Sequence, residues 1–163
     1  MQIRTITADI TELKVDAIVN SANVSLVGGI GLCGAIHDGA GLKLDEECSK
    51  LGGCLRGEAK ITKGYKLPAK YIIHTVGPIY GQHKGKEAEI LYSCYYESLR
   101  LADRHNIKSI AFPEISTGIY RYPKEKARKV AFRAVREYFE DNPGSEIKSI
   151  FFVLHFRIPF NNC

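Results

Sequence analysis

The segment that most constrains the fold of this chain is a glycine-dense loop between an apolar strand and a helix. Residues 17–20 predict a short buried strand, and residues 28–34 contain four glycines before a helix that opens near Cys33. Glycine lets the backbone approach a ligand closely, and the N–H groups at a helix N-terminus attract phosphate. Asn20 and Asn23 precede this loop and His37 follows it, so polar side chains gather beside a predicted phosphate cradle.

Strand-like and helix-like segments alternate along the chain, which predicts an α/β fold with a mostly parallel or mixed sheet. A length of 163 residues suits a single domain with a sizeable core. The predicted strands are 1–7, 17–20, 58–65, 71–76, 109–113 and 149–154, and the predicted helices are 34–48, 87–105 and 123–141. This pattern stops after residue 154.

Two further polar segments follow predicted strands, where open α/β sheets bind their ligands. Residues 116–120, Ser-Thr-Gly-Ile-Tyr, form a second candidate phosphate cradle, although a helix cap and turn is the simpler interpretation of each residue alone. Asp9 follows the first strand, where its carboxylate would accept a hydrogen bond from an amine such as that of adenine. An Asx turn before Thr11 is the alternative for Asp9, as a structural role is for His37.

Composition excludes several classes of protein and leaves others open. The five cysteines show no Cys-x-x-Cys pair, so neither a disulfide framework nor a zinc site is indicated. No apolar run is long enough to span a bilayer and the N-terminus lacks a signal pattern, which predicts an intracellular protein without membrane contact. The net charge of +5 permits an anionic ligand, but the basic residues are dispersed, which disfavours nucleic acid. Nothing indicates an oligomer, so we expect a monomer.

Several longer motifs occur in one order along the chain. They are Ala8-Asp-Ile-Thr11, Val15-Asp-Ala-Ile-Val-Asn-Ser-Ala-Asn23, Gly34-Ala-Ile-His37, Gly57-Glu-Ala-Lys-Ile-Thr-Lys-Gly-Tyr65, Leu67-Pro-Ala-Lys-Tyr-Ile-Ile-His-Thr-Val-Gly-Pro78 and Ile115-Ser-Thr-Gly-Ile-Tyr120. In these motifs the chain resembles a macrodomain, and specifically the MacroD-type branch of that family. The resemblance implies one three-layer α/β/α domain with a central mixed sheet, with the family pattern reaching about residue 154 and a divergent or truncated tail at 155–163.

The resemblance also implies a ligand, ADP-ribose, which is bound as ligand or product rather than as a cofactor. Active MacroD-type members remove ADP-ribose from modified acidic side chains of proteins and deacetylate O-acetyl-ADP-ribose, and no metal is implied. Catalytic positions would be Asn23 and His37, together with Cys33 at the position of the usual acid. The expected ligand-binding residues are Asp9, Ile10, Asn20, Asn23, Gly28, Gly29, Ile30, Gly31, Leu32, Cys33, Gly34, Ser116, Thr117, Gly118, Ile119, Tyr120 and Phe156.

The sequence departs from the family pattern at three positions of these loops. Cys33 stands where active members carry an aspartate that positions or activates water, and losing such a group costs about 10²–10⁴-fold in rate. Ile30 replaces a glycine, so it is strained if that position needs a positive φ and otherwise only adds bulk. Arg121 also stands where glycine is common. We therefore expect an ADP-ribosyl hydrolase of reduced rate, with a non-catalytic ADP-ribose reader and a poorly folded product as alternatives.

Overall fold

A mixed sheet of six strands forms the middle of the molecule, in the order β1-β6-β5-β2-β4-β3. The computed structural model describes residues 1–154. Its strands are β1 (Gln2–Thr7), β2 (Ala17–Ser21), β3 (Ala59–Lys63), β4 (Tyr71–Thr75), β5 (Ser109–Phe112) and β6 (Ser149–Leu154). Only β3 runs antiparallel to its neighbour, and the other four pairs are parallel. The predicted mixed sheet is therefore confirmed.

Helices cover both faces of this sheet and complete the three predicted layers. They are α1 (Gly31–Ala40), α2 (Leu42–Ser49), α3 (Glu87–Arg104) and α4 (Lys124–Asp141). The apolar sides of α3 and α4 pack on one face, in a core that includes Leu99, Phe112 and Val135. On the other face α1 and α2 pack around Ile36 and Leu44. Burial on both faces accounts for the apolar runs of the inner strands.

The single helix predicted over 34–48 is wrong, because the structure divides it into α1 and α2. The break lies at Gly41, whose φ of +95° is a conformation that glycine adopts without steric cost. Helix α1 also begins earlier than predicted, at Gly31, so Cys33 lies in its first turn. Strand β3 ends before the predicted residue 65, where Tyr65 has a φ of +50°. The remaining elements lie within two residues of their predicted bounds.

The parallel strands β2, β4 and β5 end at the same edge of the sheet, which we call the carboxyl edge. The backbone N–H of Ala22, just beyond β2, donates to the carbonyl of Thr75 at the end of β4 (2.9 Å). The loops that follow β2 and β5 are the two predicted phosphate cradles, so the fold brings them to one place. No helix of the described chain is long and apolar enough to cross a membrane.

Candidate functional site

The glycine loop (residues 28–34) folds so tightly that side chains are excluded at defined points. A Cβ atom placed on Gly34 would lie 2.0 Å from the carbonyl oxygen of Gly29, far inside van der Waals contact. Gly31 has a φ of +65° and begins α1 directly from the loop. The first-turn N–H groups of α1 have no partner within a helix, and their partial positive charge favours an anion. The loop therefore has the backbone geometry that the predicted phosphate cradle requires.

Ile30 fits this loop without backbone strain. It is the N-cap of α1, with an extended backbone at φ −96° and ψ 169° that any residue adopts. Its side chain is 65% exposed. Of the two interpretations of the glycine replacement, the structure supports the second: Ile30 adds exposed bulk at the loop and distorts nothing.

Asn23 and Cys33 meet across the turn that leads from β2 into the glycine loop. The Asn23 Nδ2 donates to the carbonyl of Val27 (2.9 Å), and the Val27 N–H donates to Asn23 Oδ1 (3.2 Å). The Cys33 thiol donates to the same carbonyl (3.4 Å) and lies 4.0 Å from Asn23 Nδ2. Cys33 is fully buried. The thiol therefore adds a hydrogen bond to the turn, and its sulfur is not accessible to solvent as a nucleophile.

The break between α1 and α2 places a carboxylate against His37. In a continuous helix, residues 37 and 45 would be separated by a rise of about 12 Å. In the structure, Asp45 Oδ1 lies 2.6 Å from His37 Nδ1. Because an ionised carboxylate only accepts, Nδ1 donates the hydrogen bond in this contact. His37 also supports the loop from below, since a Cβ on Gly28 would lie 3.3 Å from its Cβ.

Sequence reasoning did not find Asp45. The only signal for its position was Gly41, which follows Gly39 in the predicted helix and marks a possible helix end. The Nε2 of His37 is buried and, within residues 1–154, has no hydrogen-bond partner.

Asn20 lies one residue before the end of β2, with its side chain inside the protein. Its side chain is fully buried, and Nδ2 lies 3.1 Å from Nδ1 of His74 on the adjacent strand β4. The other ring nitrogen of His74 lies 2.9 Å from the Thr62 hydroxyl, which donates to the carbonyl of Lys63. Burial, with a smaller effect of His37, lowers the pKa of His74 to about 3, so the ring is neutral. Direct contact of Asn20 with a ligand does not fit this burial, and its amide instead fixes the ring of His74.

The serine loop (residues 116–120) combines a buried hydroxyl with turn hydrogen bonds. Ser116 has a φ of +67°, and its buried hydroxyl has no partner in the described part of the chain. The loop packs tightly on the end of β4, since a Cβ on Gly77 would lie 2.0 Å from that hydroxyl. The Thr117 hydroxyl donates to the carbonyl of Glu114 (2.8 Å), as the turn interpretation expects. Arg121 closes the loop with a φ of +60°.

The ring of Tyr120, at the end of the serine loop, contacts the guanidinium of Arg56, a residue that the sequence did not mark. The Arg56 guanidinium lies 5.1 Å from the centre of the Tyr120 ring. Its Nη1 donates to the carbonyl of Gly77 (2.7 Å). No motif in the sequence marked Arg56, because its neighbours come from segments far away in the chain.

Asp9 forms the Asx turn that was its alternative interpretation. Its Oδ1 accepts from the Thr11 N–H (3.0 Å) and hydroxyl (2.6 Å), and this caps a short 3-10 helix, Ile10–Glu12. Among the described residues, no donor reaches Oδ2. The cap therefore occupies only one oxygen of the carboxylate. Of the other predicted contacts, Ile10 and Leu32 have buried side chains and offer only their backbone, whereas Ile119 is 52% exposed.

Phe156 lies outside the described residues. Within residues 1–154, no group of three or more histidine, cysteine or acidic side chains is arranged to hold a metal ion.

Residues 19–131 match the model of the macro domain. This chain belongs to the macrodomain family. Among its relatives, a macro domain-containing protein of Chlorobaculum tepidum is 60% identical over 88% of this chain and 84% of the relative. The ADP-ribose glycohydrolase MACROD1 of Mus musculus is 54% identical over 82% of this chain, which spans only 42% of that protein. MACROD2 of Homo sapiens, also named as an ADP-ribose glycohydrolase, is 51% identical over 93% of this chain and 36% of its own length.

Solved macrodomain structures superpose on most of this chain. A variant of the Oceanobacillus iheyensis macrodomain with ADPR superposes with a TM-score of 0.87 at 36% identity, over 94% of this chain and 84% of the other. The Trypanosoma brucei macrodomain in complex with ADP-ribose gives a TM-score of 0.85 at 40% identity, over 93% of this chain and 63% of the other. The predicted family and fold are thus confirmed.

Proposed function

We propose that this macrodomain binds ADP-ribose along the carboxyl edge and removes mono-ADP-ribose from modified proteins. The observation that carries the proposal is the approach of Gly34 to Gly29, which folds the glycine loop so closely that no side chain fits at position 34. Backbone N–H groups beside a helix N-terminus bind diphosphates without a charged side chain. The glycohydrolase names of the MACROD1 and MACROD2 relatives support the reaction.

The order of the strands suggests how the ligand would lie. Asp9 follows β1 at one margin of the sheet, and the serine and glycine loops follow β5 and β2 in its middle. Strands are spaced by about 4.8 Å, so β1 and β2 are separated by about 14 Å. Adenine would bind at Asp9, the diphosphate between the two loops, and the distal ribose near Asn23 and Tyr120.

Hydrolysis needs a water molecule directed at the anomeric carbon of the distal ribose. Water adds to that carbon, the bond to the protein oxygen breaks, and the products are ADP-ribose and a free carboxyl group. In this proposal the diphosphate, clasped by backbone N–H groups, and the amide of Asn23 orient the water. His37 keeps the loop in place through its contact with Gly28, and Asp45 fixes the orientation of its ring. Release of acetate from O-acetyl-ADP-ribose would use the same pocket.

A non-catalytic ADP-ribose reader is the second candidate, and the position of Cys33 favours it. The thiol is buried and donates to the Val27 carbonyl, so it offers no carboxylate to a water molecule. The reader and the hydrolase would share one binding pocket, and the fold does not distinguish them.

One sample tests both candidates. ADP-ribose is titrated into the protein by calorimetry, and the same preparation is then incubated with a mono-ADP-ribosylated protein while release of ADP-ribose is measured. Micromolar binding with release supports the hydrolase, and binding without release supports the reader. Absence of binding contradicts both. A MacroD-type hydrolase assayed in parallel serves as the positive control for release.

A further inference from the structure

Arg56 lies between the segments that form the proposed pocket. It makes an isolated parallel bridge with Val76, one residue beyond β4, and the next residue, Gly57, donates its N–H to the Val76 carbonyl (2.8 Å). On its other side, the N–H of Cys54 donates to the carbonyl of Val24 (2.9 Å), next to Asn23. The segment around Arg56 therefore joins the turn after β2 to the end of β4.

The guanidinium of Arg56 is positioned by neutral groups only. Its partners are the carbonyl of Gly77 and the face of the Tyr120 ring, and within residues 1–154 no carboxylate forms an ion pair with it. By contrast, three other arginines each pair with a glutamate: Arg100, Arg128 and Arg136. Guanidinium carries five N–H donors in a planar fork, and only Nη1 of Arg56 has a protein partner in the described chain. A fixed cation with free donors is suited to an external anion.

The sheet order places this cation at the end of the pocket opposite Asp9. Asp9 follows β1, whereas Arg56 pairs beside β4, four strand intervals away in the order β1-β6-β5-β2-β4. At about 4.8 Å per interval this is roughly 19 Å along the edge. If adenine binds at Asp9, the other end of the pocket receives the distal ribose and whatever is attached to it. Arg56 then faces the modified protein and not the nucleotide.

We propose that Arg56 is a specificity-determining residue that binds the carboxylate of an acidic residue adjacent to the modified residue in the substrate protein. This inference rests on the proposed ADP-ribose site. The planar fork of arginine accepts a carboxylate in two parallel hydrogen bonds, which an ammonium group does not reproduce. The ring of Tyr120 and the Gly77 carbonyl hold the side chain in place, so little side-chain entropy remains to be lost on binding.

The test measures binding, so it does not depend on whether hydrolysis occurs. Two peptides carry ADP-ribose on one residue through a non-hydrolysable linkage and differ only in a neighbouring residue, which is aspartate in one and asparagine in the other. Calorimetry gives the affinity of each peptide and of free ADP-ribose for the wild type, Arg56→Met, Arg56→Lys and Arg133→Met. Arg133 is the matched control, because its guanidinium also lies over a ring, 5.0 Å from the centre of Tyr92, but on α4.

The expected result is that the wild type binds the aspartate peptide about tenfold more tightly than the asparagine peptide. Arg56→Met abolishes this preference and leaves the affinity for free ADP-ribose within about twofold, Arg56→Lys keeps only part of the preference, and Arg133→Met keeps all of it. A wild type that binds ADP-ribose without preferring either peptide overturns the inference alone. So does an Arg56→Met variant that loses the same factor on free ADP-ribose and both peptides, since Arg56 would then only hold the serine loop. A wild type that binds no ADP-ribose overturns the proposed function as well.

Discussion

Replacing Gly34 with alanine tests whether the glycine loop holds the diphosphate. The added Cβ would lie 2.0 Å from the carbonyl oxygen of Gly29. Carbon and carbonyl oxygen atoms in proteins rarely approach more closely than about 3.3 Å. The loop must therefore shift by more than about 1 Å, and this moves the backbone N–H groups that would contact the phosphates.

The expected loss of affinity follows from that displacement. Displacing one backbone N–H group from a phosphate removes a hydrogen bond to a charged group, worth about 1.5–3 kcal/mol, which corresponds to a loss of affinity of roughly 10- to 150-fold. Folding is affected less, because the φ of Gly34 is not positive and alanine is favoured over glycine in a helix by about 1 kcal/mol. This gain offsets part of the clash, so we expect a folded protein with a damaged pocket.

Calorimetric titration of ADP-ribose, with a thermal melt of the same sample, measures both effects. Gly39→Ala is the matched control: it adds the same methyl group to the same helix, where the Cβ meets only the flexible end of Leu67 at 2.8 Å. Its affinity should stay within about twofold of wild type. If Gly34→Ala melts cooperatively and still binds ADP-ribose within about threefold of wild type, the glycine loop does not hold the diphosphate and the proposed pocket is wrong.

Four further predictions concern other parts of the molecule. Cys33→Asp should raise hydrolysis of mono-ADP-ribosylated protein at least about tenfold, and an unchanged rate with unchanged affinity would show that the missing acid is not limiting. Asp9→Ala should lower the affinity for ADP-ribose about tenfold and the affinity for ribose 5-phosphate much less. Equal losses of affinity for the two ligands would reject the adenine contact. Arg121 has a φ of +60°, which costs a residue with a side chain about 1–2 kcal/mol, and Arg121→Gly removes this cost. The greater freedom of glycine in the unfolded chain offsets about 0.5–1 kcal/mol of the gain. The melting temperature should therefore rise by about 2 °C, and an equal or lower value contradicts this. The pKa of His74 is about 3 in the folded protein and 6.5 in the unfolded chain. Its contribution to the free energy of unfolding is therefore fully present above pH 6.5 and falls by up to about 1.4 kcal/mol per pH unit below it. Urea melts of His74→Gln at several pH values should lack this dependence, and identical pH profiles of the two proteins would contradict the assignment.

The alternation of strands and helices could be predicted from the sequence because each element carries its own periodic signal. Strand β6 was predicted with its bounds, since a continuous apolar run after an Asn-Pro-Gly turn is a local pattern. The break at Gly41 was missed for the same reason. The residues on both sides of it, in α1 and α2, are compatible with one helix, and a glycine inside a helical pattern is often tolerated. Only packing against the rest of the chain settles its φ of +95°.

The candidate site was predictable only where a motif is continuous in sequence. The glycine and serine loops are such motifs, and the structure brings both to the carboxyl edge. The contacts that orient side chains were not predictable, because they join distant segments: Asp45 reaches His37 through the helix break, and Arg56 reaches Tyr120 across 64 positions. A continuous motif also does not give the direction of each side chain. Asn20 belongs to the motif that spans β2, but its amide lies against His74 inside the protein.

The environment of position 33 explains how binding and hydrolysis could separate in this chain. The shape of the glycine loop depends on Gly29, Gly34 and the Asn23–Val27 hydrogen bonds, and none of these needs an acid at position 33. The Cys33 thiol supplies one more hydrogen bond to the same turn. A carboxylate there could only accept, so it would repel the Val27 carbonyl and turn towards the donors of Asn23 and of the pocket. In the proposed pocket an acid at this position would be directed at the ligand and its water, whereas the thiol is directed at the Val27 carbonyl. If the proposed function holds, the cysteine would weaken hydrolysis and leave the shape of the glycine loop unchanged.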